Sequence, residues 1–264
     1  MDMSSDPDHD GSSDSRIRQT IFPKGAIMAE FTITGEIDPF LHVSLRQGES
    51  ILAESNAMVM MEESLTLDGS LGNQGVLGAI MRRMANEETL FQQKITAKTG
   101  PGDVLLAAPF PGGMHLLEIG PRQFNLADGA FLACESGVTV TNAMQSLGNA
   151  FFGGTGGFFI QTTEGKGKLA VAAFGSVFLL DVKPGQPITI DNEHLVAWET
   201  SLDHEITTPN SARGMLGGLL SAATSGEAVV LRFSGQGQIL LASRNKKTLI
   251  AWLAENLPTP TRAS

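Results

Sequence analysis

The chain has 264 residues, 42% of them hydrophobic and 17% charged, the composition of a folded globular protein rather than a disordered one. Its formal net charge of −10 comes with no basic stripe to neutralise phosphates. That excludes nucleic-acid binding through the backbone and disfavours simple electrostatic docking on anionic lipid, though not apolar contact with a bilayer. The single cysteine, Cys134, excludes an intramolecular disulfide framework and fits a reducing, cytoplasmic compartment.

Residues Met1 to Ser15 are almost all Asp, Ser, Pro, His and Gly. They bury nothing, so 1–27 reads as a disordered or loosely attached extension, acidic at its start and without the apolar stretch of a secretory signal. Met28-Ala29-Glu30-Phe31 has the form of an alternative translation start. From Phe31 the pattern turns to strands, with Phe31, Ile33 and Ile37 alternating with polar residues.

Three segments share an apolar-apolar-Ala run followed by Glu and a hydroxyl: Ile51 to Ser55, Phe131 to Ser136 and Leu195 to Thr200. After an insertion, each is followed by a strand, a Gly-x-Gly turn and a second apolar strand. The turns are Gly100-Pro101-Gly102, Gly165-Lys166-Gly167 and Gly235-Gln236-Gly237, and glycine suits hairpin turns that need positive φ. Matched anchors in one order predict an all-β single domain over about 28–257. Its three diverged units, about 31–112, 113–186 and 187–244, are related by pseudo-threefold symmetry, and each buries a face that its neighbour would otherwise expose. The apolar run Leu169 to Leu180, broken at Gly175-Ser176, is too short for the roughly 20 residues of a spanning helix. It reads as two buried strands and a turn. A C-terminal helix over about 246–257 places Leu249, Trp252 and Leu253 one turn apart, ends before Pro258, and is expected to pack on the β body.

The combination of Gln47-Gly48-Glu49, Thr99 to Ala107, Ala130 to Ala133, Gly153 to Phe159, Glu164 to Gly167, Ile190 to Ala197 and Gly235 to Gly237 resembles the altered-inheritance-of-mitochondria protein 24 family, over roughly residues 28–256. The resemblance implies a fold like the tryptophan RNA-binding attenuation protein, a double-stranded β-helix type of body with pseudo-threefold symmetry. It carries no catalytic residues across, and its mitochondrial members are associated with inner-membrane organisation. RNA binding does not follow from the fold.

Candidate chemistry is sparse. Gly153 to Gly157 leads into a strand and lacks the lysine and hydroxyl of a phosphate loop, so it reads as an insertion loop. Lys166 and Lys168 have no counterparts at the other two turns. His9, His42, His115, His194 and His204 form no His-x-His set for a metal, and Asp191 reads as a cap on a strand-end turn. Cys134, in an apolar strand, reads as a buried inert thiol. Glu54, Glu135 and Glu199 read as solvent-facing; the alternative is that symmetry gathers them to bind a cation. No catalytic, cofactor or metal set is assigned.

Short apolar helices are expected in the insertions. Leu77, Ile80, Met81 and Met84 fall at i, i+3, i+4 and i+7. Leu216, Leu219, Leu220 and Ala223 repeat that spacing, and Leu147, Ala150 and Phe151 form a shorter version. Either these stripes cap one end of the core, or they leave an exposed patch for self-association, protein contact or a membrane surface. The resulting expectation is a non-enzymatic, oligomerising or partner-binding protein, peripheral to a membrane if bound to one. The alternative is a small-ligand-binding protein or enzyme using a cavity in the β body. Removing residues 1–27 is expected to leave Tm unchanged; a drop of several degrees in a thermal melt would show that the segment is docked.

Overall fold

The structure is a computed structural model that describes residues 29–69, 92–144, 159–207 and 230–257. The described residues are mostly strand, as the alternation of apolar and polar residues dictates, and every strand pairing is antiparallel. The chain runs β1 (Glu30–Thr34), β2 (Phe40–Leu45), β3 (Ser50–Glu54), β4 (Met58–Met61), β5 (Leu65–Gly69), β6 (Gln92–Ala97) and β7 (Gly102–Leu106). It continues through β8 (Met114–Ile119), β9 (Phe124–Ala127), β10 (Phe131–Glu135), β11 (Val138–Met144), β12 (Phe159–Gly165) and β13 (Gly167–Ala172). Last come β14 (Val177–Val182), β15 (Ile188–Asp191), β16 (Leu195–Glu199), β17 (Asp203–Thr207), β18 (Val230–Ser234), β19 (Gly237–Ala242) and helix α1 (Lys246–Asn256).

Two sheets have six strands, in the orders β5-β6-β3-β10-β13-β8 and β11-β12-β9-β16-β19-β14. In each, the left three strands come from one stretch of chain and the right three from the next, so the central pairings β3·β10 and β9·β16 join consecutive stretches. The remaining sheets are halves of the same plan. One is β15-β18-β17, and the other is β1-β2-β7-β4, in which β1 is an added strand on β2.

This order shifts the expected correspondence by one strand. Ile51 to Ser55 shares letters with Phe131 to Ser136 and Leu195 to Thr200, but β3 pairs with β6 and β10. The position that β10 and β16 hold against β13 and β19 belongs to β4, which pairs with β7. All three strands carry a bulge at the same place, between Met58 and Met60, Phe131 and Ala133, and Leu195 and Ala197. A bulge inserts one extra residue and turns the strand locally. That makes Val59, Leu132 and Val196 the matched extra residues.

The Gly-x-Gly turns also differ from the hairpins expected. β12 and β13 lie in different sheets, as do β6 and β7, and β18 and β19. Each turn is a corner at which the chain leaves one sheet for the next. Gly165 (φ +93°) and Gly235 (φ +105°) adopt the left-handed backbone that such a corner needs.

Three apolar clusters form the core. Ile51, Ile95 and Leu106 centre the first, Phe124, Leu126 and Leu169 the second, and Trp198, Leu231 and Phe233 the third. One expectation about packing is corrected and one is met only in part. β13 is buried as expected, but β14 holds Phe178 62% and Leu179 41% exposed, because it is an edge strand. Helix α1 buries none of its residues; Leu249 and Leu253 are half-buried and Trp252 is 57% exposed. Its start is set by Asn245, whose Oδ1 accepts the Thr248 N–H at 2.7 Å. Among the described residues no helix is long and apolar enough to cross a membrane.

A Cβ at Gly165 would meet the Gly137 carbonyl oxygen at 2.3 Å, whereas at Gly48 (φ +88°) it would meet nothing within 4 Å. Both substitutions to Ala carry the left-handed penalty, about 1–3 kcal/mol, and only Gly165→Ala adds a backbone clash. In urea unfolding G165A is expected to lose more stability than G48A; equal losses would contradict the tight corner.

Candidate functional site

The nine residues proposed from sequence as an interaction surface, Leu77, Ile80, Met81, Met84, Leu147, Phe151, Leu216, Leu219 and Leu220, lie outside the described residues, as do the extension 1–27 and the Gly153–Gly157 loop. Their three segments join β5 to β6, β11 to β12 and β17 to β18, in each case two strands that pair with each other.

The acidic residues occupy other places than expected. Glu135 and Glu199 are buried, not solvent-facing, because the Gly-x-Gly corners at Gly167 and Gly237 lie against them. Glu135 Oε2 accepts the Lys168 N–H at 2.9 Å, and Glu62 Oε2 accepts the Asp103 N–H at 3.2 Å. Lys168 and Asp103 both follow the second glycine of a Gly-x-Gly corner. Glu62, directly after β4, is therefore the counterpart of Glu135, and Glu54 is not. Glu199 takes a different partner, Arg122, at 3.5 Å. The signal that finds this match in the sequence is spacing: three residues separate Glu54 from Met58, Ala127 from Phe131, and Asp191 from Leu195.

Burial pushes the Glu135 carboxyl above the usual carboxylate range, against the opposing pull of the Lys168 N–H. Burial, with help from the charge of Asp128, raises Glu54 in the same sense. The neighbouring Cys134 is fully buried, and burial, aided by Glu135, pushes its thiol up to about 12. A thiol held protonated in this way is a poor nucleophile.

A serine, a histidine and an aspartate do meet, on β2 and β7. Asp103 Oδ1 accepts from Ser44 Oγ at 2.6 Å and lies 3.1 Å from His42 Nε2. Nucleophile activation needs the imidazole between hydroxyl and carboxylate. Here the carboxylate is the hub, so the trio ties two strands together. His194 Nδ1 lies 2.7 Å from the Ala242 carbonyl oxygen, and Asp191 Oδ1 accepts the Glu193 N–H at 3.0 Å, which caps the turn before β16. His204 packs against the rings of Trp198 and Phe233. Among the described residues no group of three His, Cys, Asp or Glu side chains is placed to hold a metal ion.

A groove of about 720 Å³ lies where Gly35 to Pro39, Pro111 to Met114 and Phe174 to Val177 meet beside Arg244. It brings together the segments that lead into β2, β8 and β14.

The profile of the family described as Mitochondrial biogenesis AIM24 matches residues 31–244. The chain belongs to that family. Among AIM24 relatives, a Streptococcus pyogenes serotype M6 protein described as uncharacterised is 35% identical over 235 residues, 87% of this chain and 91% of its own length. The crystal structure of a Streptococcus pyogenes protein superposes with a TM-score of 0.72 at 34% identity, covering 87% of this chain and all of that one. The AIM24 fold is thus all-β in this chain, as the sequence resemblance implies.

Two solution measurements check the buried acid and thiol. A carboxyl whose folded-state pKa exceeds its unfolded value gives stability that is full below the ordinary pKa of about 4.3. That stability is lost as pH rises through the raised folded value. Glu135→Gln is therefore expected to flatten the fall of Tm with pH above about 4.3; an unchanged slope would contradict the assignment. Cys134 is expected to resist a thiol reagent at about pH 8 until the protein is denatured, and prompt labelling of the native protein would contradict its burial.

Proposed function

We propose that this AIM24 chain is a non-enzymatic, self-associating protein that works through contact surfaces. Its one β domain holds three equivalent units in succession, joined at β3·β10 and β9·β16. The pairing order supports breaks before β8 and β14, so that β14 belongs with the third unit. The three segments that join paired strands, with their stripes at Leu77 to Met84, Leu147 to Phe151 and Leu216 to Leu220, then fall at corresponding places and add to the contact surface.

The observation that carries this reading is where the described surface is apolar. Met58, Val59 and Met60 are 38%, 54% and 41% exposed on consecutive positions of β4, while every titratable cluster described above is tied into strands and corners. Scattered apolar residues are ordinary on a surface, but a run on an edge strand marks a contact. The exposed Trp252 and Phe178 extend the same argument to a membrane or protein contact.

A second reading rests on the groove beside Arg244, whose size suits a small ligand. Native mass spectrometry of the purified protein separates the two: a co-purified small molecule favours the groove. Sedimentation equilibrium is expected to give a mass above that of the monomer at micromolar concentration, and Leu77→Asp with Leu219→Asp to lower it with the fold intact. A wild-type protein that stays monomeric throughout overturns self-association; variants that unfold place the stripes in the core. Flotation with zwitterionic vesicles reads the membrane contact separately.

A further inference from the structure

The two half-sheets end on strands whose counterparts are paired elsewhere. In the six-stranded sheets the left half always meets the right half through β3·β10 or β9·β16. The half-sheet β15-β18-β17 ends on β15, the counterpart of β3 and β9. The half-sheet β1-β2-β7-β4 ends on β4, the counterpart of β10 and β16. Neither has a strand partner on that edge among the described residues.

The core clusters tell the same story on the sheet face. The first cluster is completed by Leu132, Ala133, Ala170 and Ala172, which come from the following stretch, β10 and β13. The second is completed in the same way by Val196, Ala197, Leu240 and Ala242, from β16 and β19. All eight are buried. The third cluster, around Trp198, Leu231 and Phe233, receives no such set. The matching residues of the first stretch are Val59, Met60, Leu105 and Ala107, and these are exposed or half-buried. One core thus lacks its lid, and one apolar lid lacks a core.

We propose that β4 of one copy of this chain adds to β15 of a second copy, and that Val59 and Met60 close the second copy's third cluster. The inference rests on the self-association reading and names its interface. The register follows from the two junctions inside the chain. Ala133 faces Ala53 and Ala197 faces Leu126, so Met60 faces Ile190; Cys134 faces Leu52 and Trp198 faces Asn125, so Met61 faces Thr189. Strand addition of this kind satisfies backbone groups that an open edge leaves to water. Because the two edges differ, the contact is head-to-tail, and it closes as a ring or runs on as a filament.

The test mixes two purified full-length variants, Met60→Cys and Ile190→Cys, under a mild oxidant. A two-chain product on a non-reducing gel, absent from either variant alone and reversed by reductant, is expected. A second pair, Met61→Cys with Thr189→Cys, reports the same register if loss of the buried Ile190 side chain impairs folding. Val59→Asp, at an exposed position, is expected to lower the sedimentation mass toward the monomer and leave the fold intact. Cross-linking only within the chain of a Met60→Cys, Ile190→Cys double variant overturns the proposal in favour of intramolecular closure. Oligomers that neither pair cross-links overturn the interface but leave self-association standing. A protein monomeric at every concentration overturns both.

Discussion

Pairing of a bulged strand with the outermost strand of the half-sheet built by the preceding stretch is the interaction on which this fold depends. At β3·β10 and β9·β16 it does two things at once. The ladder satisfies the backbone amides of both edges, and the bulge turns an extra apolar residue, Leu132 or Val196, onto the neighbouring core. Full burial of such a side chain is worth about 1.5–3 kcal/mol, so the junction combines edge satisfaction with core completion. Substitution there would disturb two stretches of chain together.

The Gly-x-Gly corners serve that junction. By placing β6 and β7, β12 and β13, and β18 and β19 in different sheets, they let each stretch contribute to two sheets. The same corners position the acidic caps, with Glu62 and Glu135 accepting the amide that follows the second glycine. Burial raises the Glu135 carboxyl and the Cys134 thiol, and in this place both shifts are consequences of packing. Glu62, Glu135 and Cys134 are thus tied into the architecture, and the Ser44, His42 and Asp103 trio is a further instance.

Much of the architecture was legible in the sequence. The places of the Gly-x-Gly turns, the strands either side of them and the cap at Asp191 all follow from short-range signals, whereas the turns' role as corners between sheets depends on pairing. The one-strand slip at Ile51 to Ser55 has a physical cause: β3 and β10, the two strands that meet at a junction, present the same apolar-apolar-Ala letters followed by Glu, and only pairing tells them apart. The spacing from Glu54 to Met58, repeated at Ala127 and Asp191, carried the correct register. Burial of Glu135 and exposure of β14 and α1 were not legible, because each depends on which element folds over which. The apolar stripes from Leu77 to Leu220 lie outside the described residues, so their place rests on sequence spacing alone.

The account turns on whether β4 and β15 are completed when copies meet. Hydrogen exchange read by mass spectrometry, on peptides spanning 58–61 and 188–191, tests this directly across a dilution series. The account predicts that both peptides gain protection together as the mass rises, while 50–54 and 131–135, already paired within the chain, stay protected throughout. Exchange at 58–61 and 188–191 that is insensitive to concentration, in a protein whose mass does rise, would contradict it.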